Sequence, residues 1–356
     1  MNIEQVLSGK EDYIFIEGEC LNILKKIPNE SINTVITSPP YWQLREYDTV
    51  LNSEYIIGNE REPHQYVEKL IKIFNEIKRV LKKDGSFWLN LGDKYYNKQL
   101  MGIPWRVALA MMEEGWILRN DIIWDQMKGT QSAKDRLRDV YEHVFHFVKS
   151  KKYYYAHDEI RITPLKKPKM YNGEMVSATG VSGKKYFKQI EMSTVLSAEE
   201  KESALKALNE VIFDMTAGKI VDFRMTIRGV QRTFHSDKTN ISGRALELEK
   251  KGYYILKMGA NGFLPSDIWR IVPEDQWRED AHYAVFPEEL LLNPIKATCP
   301  KGGIVLDPFS GTGSTVITAL KLGRKGIGID LSSKYNELAE KRISDFKTLR
   351  QTALFS

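Results

Sequence analysis

A chain of 356 residues, 42% hydrophobic and 28% charged, has room for one large α/β domain plus an insertion and the composition of an ordinary globular protein. Its formal charge of +5 is only mildly basic, its two cysteines, Cys20 and Cys299, are too few and too distant for a disulfide framework, and no apolar run approaches the eighteen or so residues of a transmembrane helix. With no basic, apolar leader at Met1-Asn2-Ile3-Glu4-Gln5, a reducing, cytoplasmic setting is expected.

Taken in chain order, Tyr13 to Ile16 reads as a strand closed by Glu17-Gly18-Glu19, and Leu21, Leu24 and Ile27 suggest a short helix. Thr34 to Ile36 is a second strand. It runs into Thr37-Ser38-Pro39-Pro40-Tyr41-Trp42. Two consecutive prolines remove two backbone donors and fix two φ angles, and Ser38 before them is pushed toward extended geometry. The result is a stiff loop rich in carbonyl acceptors with an aromatic ring beside it. Such a loop suits a planar amine, and the exocyclic amine of a nucleobase is one. Gln43 to Arg61 lacks periodicity and reads as a long loop. His64 to Leu81 carries Val67, Leu70, Ile71, Phe74, Ile77 and Leu81 at helical spacing, with Asp84-Gly85 as its stop. Ser86 to Leu91 is the next strand, closed by Gly92-Asp93. Pro104 to Glu114 is a helix with proline near its start, and Leu118 to Trp124 and Tyr141 to Lys149 are strands. His143 and His146 sit at odd spacing without further ligands, so no metal site is expected. Alternating strands and helices imply a mostly parallel sheet with helices on both faces.

From Lys151 the character changes to Pro, Lys, Gly and Ser. Between Lys151 and Lys257 about twenty Lys and Arg stand against about thirteen Asp and Glu, an excess suited to nucleic acid. Ser197-Ala198-Glu199-Glu200 is a capping box that opens a helix to Met215. Arg224, Arg228 and Arg232 recur every four residues. On a helix they share one face, and with Arg244 they are the candidate nucleic-acid contacts. The α/β character returns near Ile268. This gives three segments: 1–150, 151–266 and 267–356.

In the last segment Ile304-Val305-Leu306 ends in Asp307 and is followed by Pro308-Phe309-Ser310-Gly311-Thr312-Gly313-Ser314-Thr315. A helical stretch from Val316 to Leu322 stops at Gly323, and Lys325 to Asp330 is a second short strand ending in an acid. Strand, glycine turn, helix, strand and acid make a nucleotide-type site: the glycines let a ligand approach the backbone and the acid takes ribose hydroxyls. The spacing is not that of a dinucleotide fingerprint, and no P-loop pattern occurs. An acid at 307 repels a pyrophosphate and favours a ligand with an ammonium and a sulfonium, such as S-adenosylmethionine.

Ser-Pro-Pro-Tyr at 38–41, together with Asp-Pro-Phe-x-Gly-x-Gly-x-Thr at 307–315, resembles the amino-methyltransferases of DNA, which methylate cytosine N4 or adenine N6. Catalytic loop first and cofactor loop last is the order of their permuted β group. The resemblance covers 1–150 and 267–356 and the middle much less. It implies the S-adenosylmethionine-dependent methyltransferase fold, a doubly wound, mostly parallel α/β sheet, circularly permuted, with 151–266 as an inserted target-recognition region. By the same resemblance the Ser38 side chain and Pro39 carbonyl take the amine hydrogens, Pro40 stiffens the loop and Tyr41 stacks on a flipped base. Asp307, Pro308, Phe309, Gly311, Gly313 and Ser314 form the cofactor loop, and Asp330 takes the ribose. Glu19, where the family more often has Asp, meets the adenine amine of the cofactor, and Phe286 and Pro287 pack on its methionine moiety. Asp93, at the end of the strand adjacent to the catalytic one, contacts base or cofactor or is a structural cap.

The partners so implied are S-adenosylmethionine, double-stranded DNA and, functionally, a cognate restriction endonuclease; neither metal nor membrane is expected, and the chain is a monomer or homodimer. Serine rather than an acid before Pro-Pro-Tyr, and Phe286-Pro287, lean toward cytosine N4 over adenine N6. Competing readings are methylation of RNA or protein amines and a non-catalytic DNA-binding protein on the same scaffold. Cys299 precedes a proline, whereas a ring-carbon cytosine methyltransferase needs its cysteine after one, and it reads as a small buried hydrophobe.

Overall fold

The computed structural model describes residues 3–43, 56–127, 134–163, 166–230, 243–273 and 286–354. The chain divides into two compact units, Met1–Glu159 with Ser266–Ser356, and Ile160–Pro265. The first unit opens with helix α1 (Ile3–Leu7), strand β1 (Tyr13–Glu17), helix α2 (Cys20–Leu24) and strand β2 (Ile32–Thr37). Helix α3 (Pro63–Val80) and strand β3 (Leu81–Leu91) follow, then a small hairpin, β4 (Tyr95–Tyr96) and β5 (Gln99–Leu100). Helix α4 (Ile103–Glu113), strand β6 (Ile117–Asp125) and strand β7 (Tyr141–Val148) complete this stretch. Residues 151–159, where the composition changes, still pack on this unit. Tyr154 N donates to Asp84 O, Ala156 N donates to Ala297 O, and Glu159 pairs with Arg324 at 2.9 Å.

The second unit holds β8 (Lys169–Tyr171), β9 (Glu174–Val176), α5 (Gly183–Glu191), α6 (Ala198–Thr216), β10 (Ile220–Ile227), α7 (Gly243–Lys251) and β11 (Tyr253–Gly259). Its core joins Tyr186 and Ile190 of α5, Leu208 and Val211 of α6, and Phe223, Met225 and Ile227 of β10. The chain then returns to the first unit with β12 (Ile268–Arg270), α8 (Glu288–Thr298), β13 (Ile304–Asp307), α9 (Ser314–Lys321), β14 (Lys325–Asp330) and α10 (Ser333–Leu354).

The central sheet has eight described strands in the order β1-β14-β13-β2-β3-β7-β6-β12. Among them β7 alone runs against its neighbours. Successive side chains of a strand point to opposite faces, and both faces are covered. Val35, Phe87 and Leu89 join Leu70, Phe74 and Ile77 of α3 on one side. Ile36 and Trp88 join Leu290, Leu291 and Ile295 of α8 on the other. From β13 the chain crosses through α9 to β14 in one direction; from β2 it crosses through α3 to β3 in the other. Right-handed crossovers of opposite direction put their helices on opposite faces. The strand order therefore reverses between β13 and β2, which pair through Val305–Thr34 and Leu306–Val35. Ligands of open α/β sheets bind at such a switch point, beyond the carboxyl ends of the strands.

Two expectations differ from the observed fold. The helix α3 stops at Val80, before Asp84-Gly85, because β3 begins at Leu81: Ile32 pairs with Leu81 and Thr34 with Ser86, so 82–85 bulge out of the ladder. More consequential, Arg224 is not helical. Phe223, Met225 and Ile227 alternate into the core at the strand period, and β10 pairs antiparallel with β11. The four-residue arginine spacing therefore marks no helical face: Arg224 lies within β10, Arg228 directly follows it, and Arg232 lies outside the described residues. The capping box of α6 does form: Glu200 N donates to Ser197 Oγ and Ser197 N to Glu200 Oε2. Replacing Ser197 with Ala should destabilise the protein by about 1 kcal/mol, seen as a lower urea midpoint, whereas an unmoved midpoint would contradict the cap's role.

Candidate active site

Thr37, the last residue of β2, and Asp307, the last of β13, stand side by side at the switch point. Thr37 Oγ1 donates to Asp307 Oδ1 at 2.6 Å, Thr315 Oγ1 donates to Oδ2 at 2.6 Å, and Phe309 N donates to Oδ1 at 3.0 Å. The Asp307 residue is 3% exposed. A buried carboxylate is costly unless hydrogen bonds replace its water, and here a neighbouring strand, the loop and the first turn of α9 supply them. Burial nevertheless pushes its carboxyl up to about 6, against the pull of Thr315, Thr37 and the Phe309 amide. Asp307 thus clamps the end of β2 to the glycine loop.

The loop itself is placed by three further contacts. Gly311 N donates to Asp330 Oδ2 at 2.9 Å, and burial raises the Asp330 carboxyl above the ordinary aspartate range. Gly311 has a φ of +48°, and a side chain there would project into open space before the loop. Arg342 of α10 donates from Nη1 to Thr312 O at 2.7 Å and to Ser314 Oγ at 3.1 Å, so the hydroxyl of Ser314 is held beneath the loop. Pro308 is buried, Phe309 half-buried, and Gly313 is the N-cap residue of α9. A backbone cradle open in front of Gly311, with a carboxylate beyond it, fits an adenosine ligand with a cationic tail.

Glu19 sits at the start of α2, where its two oxygens accept Leu21 N at 2.8 Å and Asn22 N at 2.7 Å. Pro287 is the N-cap residue of α8, and Phe286 packs against the core that holds Ile36 and Val305. Residues 282–285 lie outside the described residues. Asp93 caps a helix: its Oδ1 accepts Ile103 N at 3.0 Å and Lys94 N at 2.8 Å.

The Pro-Pro loop leaves β2 beside the glycine loop. Pro39 is buried, Ser38, Pro40 and Tyr41 are partly exposed, and Pro40 O accepts the Tyr66 hydroxyl at 2.9 Å. Trp42 is buried and donates from its indole to Glu60 O at 2.8 Å. Tyr41 is anchored at its tip, where its hydroxyl donates to Glu142 Oε2 at 2.5 Å and accepts Asn90 Nδ2 at 2.7 Å and Ser38 Oγ at 3.1 Å. Burial and the adjoining Glu142 carboxylate push the Tyr41 hydroxyl well above its ordinary pKa. Its ring also lies on Gly92, where an added Cβ would come within 2.7 Å of Cε2. Asn90, Glu142, Thr37, Thr315 and Arg342 were not singled out from sequence. Asn90 alone carried a signal, a polar residue inside an apolar strand.

Two of the candidate arginines are paired within the second unit. Arg224 pairs with Asp222 at 3.0 Å and Arg228 with Glu200 at 2.7 Å, while Arg244 lies exposed on α7. Cys299 is fully buried, and burial pushes its thiol up to about 12, so it is no thiolate nucleophile. His143 Nδ1 contacts Asp121 at 2.8 Å, and His146 stacks on Trp88 at 4.1 Å, where burial brings its pKa down to about 3.

Fold and site together define a crevice at the strand-order switch point, with the glycine loop on one side and the rigid Pro-Pro loop on the other. A DNA methylase family model, that of the N6/N4 methyltransferases, matches residues 32–341. The type II methyltransferase M.SfiI of Streptomyces fimbriatus is 32% identical over 383 residues, covering 91% of this chain and 89% of its own length. M.Cfr9I of Citrobacter freundii is 27% identical over 357 residues, covering 92% and 86%. Among solved structures, the cytosine-N4-specific PvuII DNA methyltransferase aligns with a TM-score of 0.55 at 18% identity, covering 93% of this chain and 86% of that one, and so shares its fold. The chain belongs to the N6/N4 DNA methylase family and is a DNA methyltransferase.

The clamp has a measurable consequence. The folded chain holds the Asp307 proton more tightly than the unfolded chain. Asp307 therefore favours the fold below its ordinary value of 3.8, and that contribution is lost as pH rises through about 6. Replacing Thr37 with Val removes one donor to the carboxylate and should raise its midpoint further, by about one pH unit in a carboxyl NMR titration. An unchanged midpoint would show that Thr37 does not hold it.

Proposed function

We propose that the protein methylates the exocyclic N4 of a cytosine flipped out of duplex DNA, as the modification enzyme of a restriction-modification system. Bound S-adenosylmethionine supplies a methyl group activated by its sulfonium. The chain's own residues do the rest. Gly311 and Phe309 border the cofactor's place, Asp330 takes its ribose, and Glu19 and Phe286 stand toward its adenine and methionine ends. An exocyclic amine is a weak nucleophile because its lone pair is conjugated into the ring. Acceptors aimed at its hydrogens favour the pyramidal nitrogen of the transition state over the planar ground state.

The observation that carries this reading is the Ser38 hydroxyl. It gives its own proton to Tyr41 at 3.1 Å and accepts Asn90 Nδ2 at 3.4 Å, which leaves one oxygen lone pair for an amine hydrogen. The rigid Pro39 carbonyl is the second acceptor, and the ring of Tyr41, fixed at its hydroxyl, is the stacking surface. A neutral serine in this position, where an acid would suit adenine better, favours cytosine. The family takes either base, and adenine N6 is the second reading. We assign Ile160–Pro265 to target recognition, with exposed Lys184, Lys185, Lys188 and Arg244 as its backbone-contacting cations.

Duplex DNA incubated with the protein and labelled S-adenosylmethionine, then digested to nucleosides, should yield N4-methyldeoxycytidine; N6-methyldeoxyadenosine would overturn the choice of base. Ser38→Ala and Tyr41→Ala should each lower turnover by about a hundredfold or more while calorimetric cofactor affinity holds. Wild-type turnover in either variant would remove that residue from the chemistry.

A further inference from the structure

The hydrogen bonds around Tyr41 run in one direction. Ser38 Oγ donates to the Tyr41 hydroxyl, and that hydroxyl donates to Glu142 Oε2, at 3.1 and 2.5 Å. Glu142 lies on β7, two strands from β2, whose end carries the loop. It is faced by the Tyr41 hydroxyl from the catalytic loop, by Asn90 Nδ2 of β3 at 2.6 Å on Oε2, and by Gln126 Nε2, just past β6, at 2.8 Å on Oε1. Asn90 Nδ2 also donates to the Tyr41 oxygen at 2.7 Å. Tyr41, Asn90 and Gln126 thus converge on Glu142, and the Ser38–Tyr41 line ends on its carboxylate.

We propose that Glu142 is the end of a proton relay, Ser38 to Tyr41 to Glu142, that takes the proton the amine must lose on methylation. This rests on the methyl-transfer reading above. The carbon–sulfur bond breaks and sulfur keeps its electron pair, becoming a neutral thioether. The amine nitrogen spends its lone pair on the new carbon–nitrogen bond and releases one hydrogen as a proton. That proton goes to Ser38 Oγ while the Ser38 proton passes to the Tyr41 oxygen and the Tyr41 proton to Glu142. Both hydroxyls end as they began. The positive charge that left sulfur is accounted for by a neutral Glu142. Because Tyr41 beside a carboxylate resists becoming a tyrosinate, arrival and departure of its proton are concerted.

A purely structural Glu142 would only hold the Tyr41 ring, and two isosteric tests separate the roles. Glu142→Gln keeps the length and an acceptor oxygen but is no base, and Glu142→Asp keeps the base. Rapid-quench single turnovers with saturating labelled S-adenosylmethionine and duplex DNA would be compared in H2O and D2O. Glu142→Gln should slow methyl transfer about a hundredfold with both KM values near wild type, and Glu142→Asp should restore most of the rate. The solvent isotope effect of the wild-type step should change in Glu142→Gln. A Gln variant at wild-type rate overturns the relay. So does a slow one with raised KM and an unaltered isotope effect, since that marks a mere support for the ring. Wild-type protein that transfers no label to any DNA would instead overturn the methyltransferase reading, and the relay with it, before any variant is compared.

Discussion

The hydrogen bond from Thr37 to Asp307 joins residues 270 positions apart, and the active site depends on it. Thr37 is the last residue before Ser38, and Asp307 the last before the glycine loop. A shift of one strand end against the other by an ångström would move Ser38 and Pro39 relative to the glycine loop, and so, in the proposed reaction, the amine relative to the methyl donor. In-line displacement tolerates little of this. Burying the carboxylate makes the joint demanding. Its three donors come from three different elements, so the acid is stable in place only when β2, the glycine loop and α9 are all in register.

The sheet makes that joint possible. In a protein with this chain order, the two loops belong to opposite ends of the sequence and meet because β13 and β2 are neighbours at the point where the strand order reverses. The second unit, Ile160–Pro265, enters the sequence between β7 and β12, and neither of those strands pairs with β13 or β2. An insertion there leaves the pairing of β13 with β2 intact, so the second unit can vary without disturbing the clamp.

What sequence reasoning reached was the local chemistry. The Pro-Pro loop, the glycine turn, and the acids at 307 and 330 are written in consecutive residues, and the strands and helices around them follow from apolar spacing. What it missed is long-range. Asn90, Glu142 and Arg342 come to the site through strand register and the docking of α10, and neither is visible along the chain. The arginine series failed for a different reason. A four-residue spacing competed with the two-residue alternation of Phe223, Met225 and Ile227, and burial of those three side chains decided the backbone. Arg224 and Arg228 then found Asp222 and Glu200 within their own unit, a fate that composition alone does not reveal.

Asp307 also changes meaning between sequence and structure. Read from the chain, it is an acid facing a cationic ligand. In the fold its oxygens are taken by Thr37, Thr315 and Phe309, and it fixes the glycine loop against β2. The most direct test is a crystal structure of the protein with S-adenosylmethionine. The account requires the cofactor across Gly311 with its ribose at Asp330 and its methyl group turned toward Ser38 and Pro39. A cofactor seated elsewhere, or one whose methyl group faces away from that loop, would contradict it.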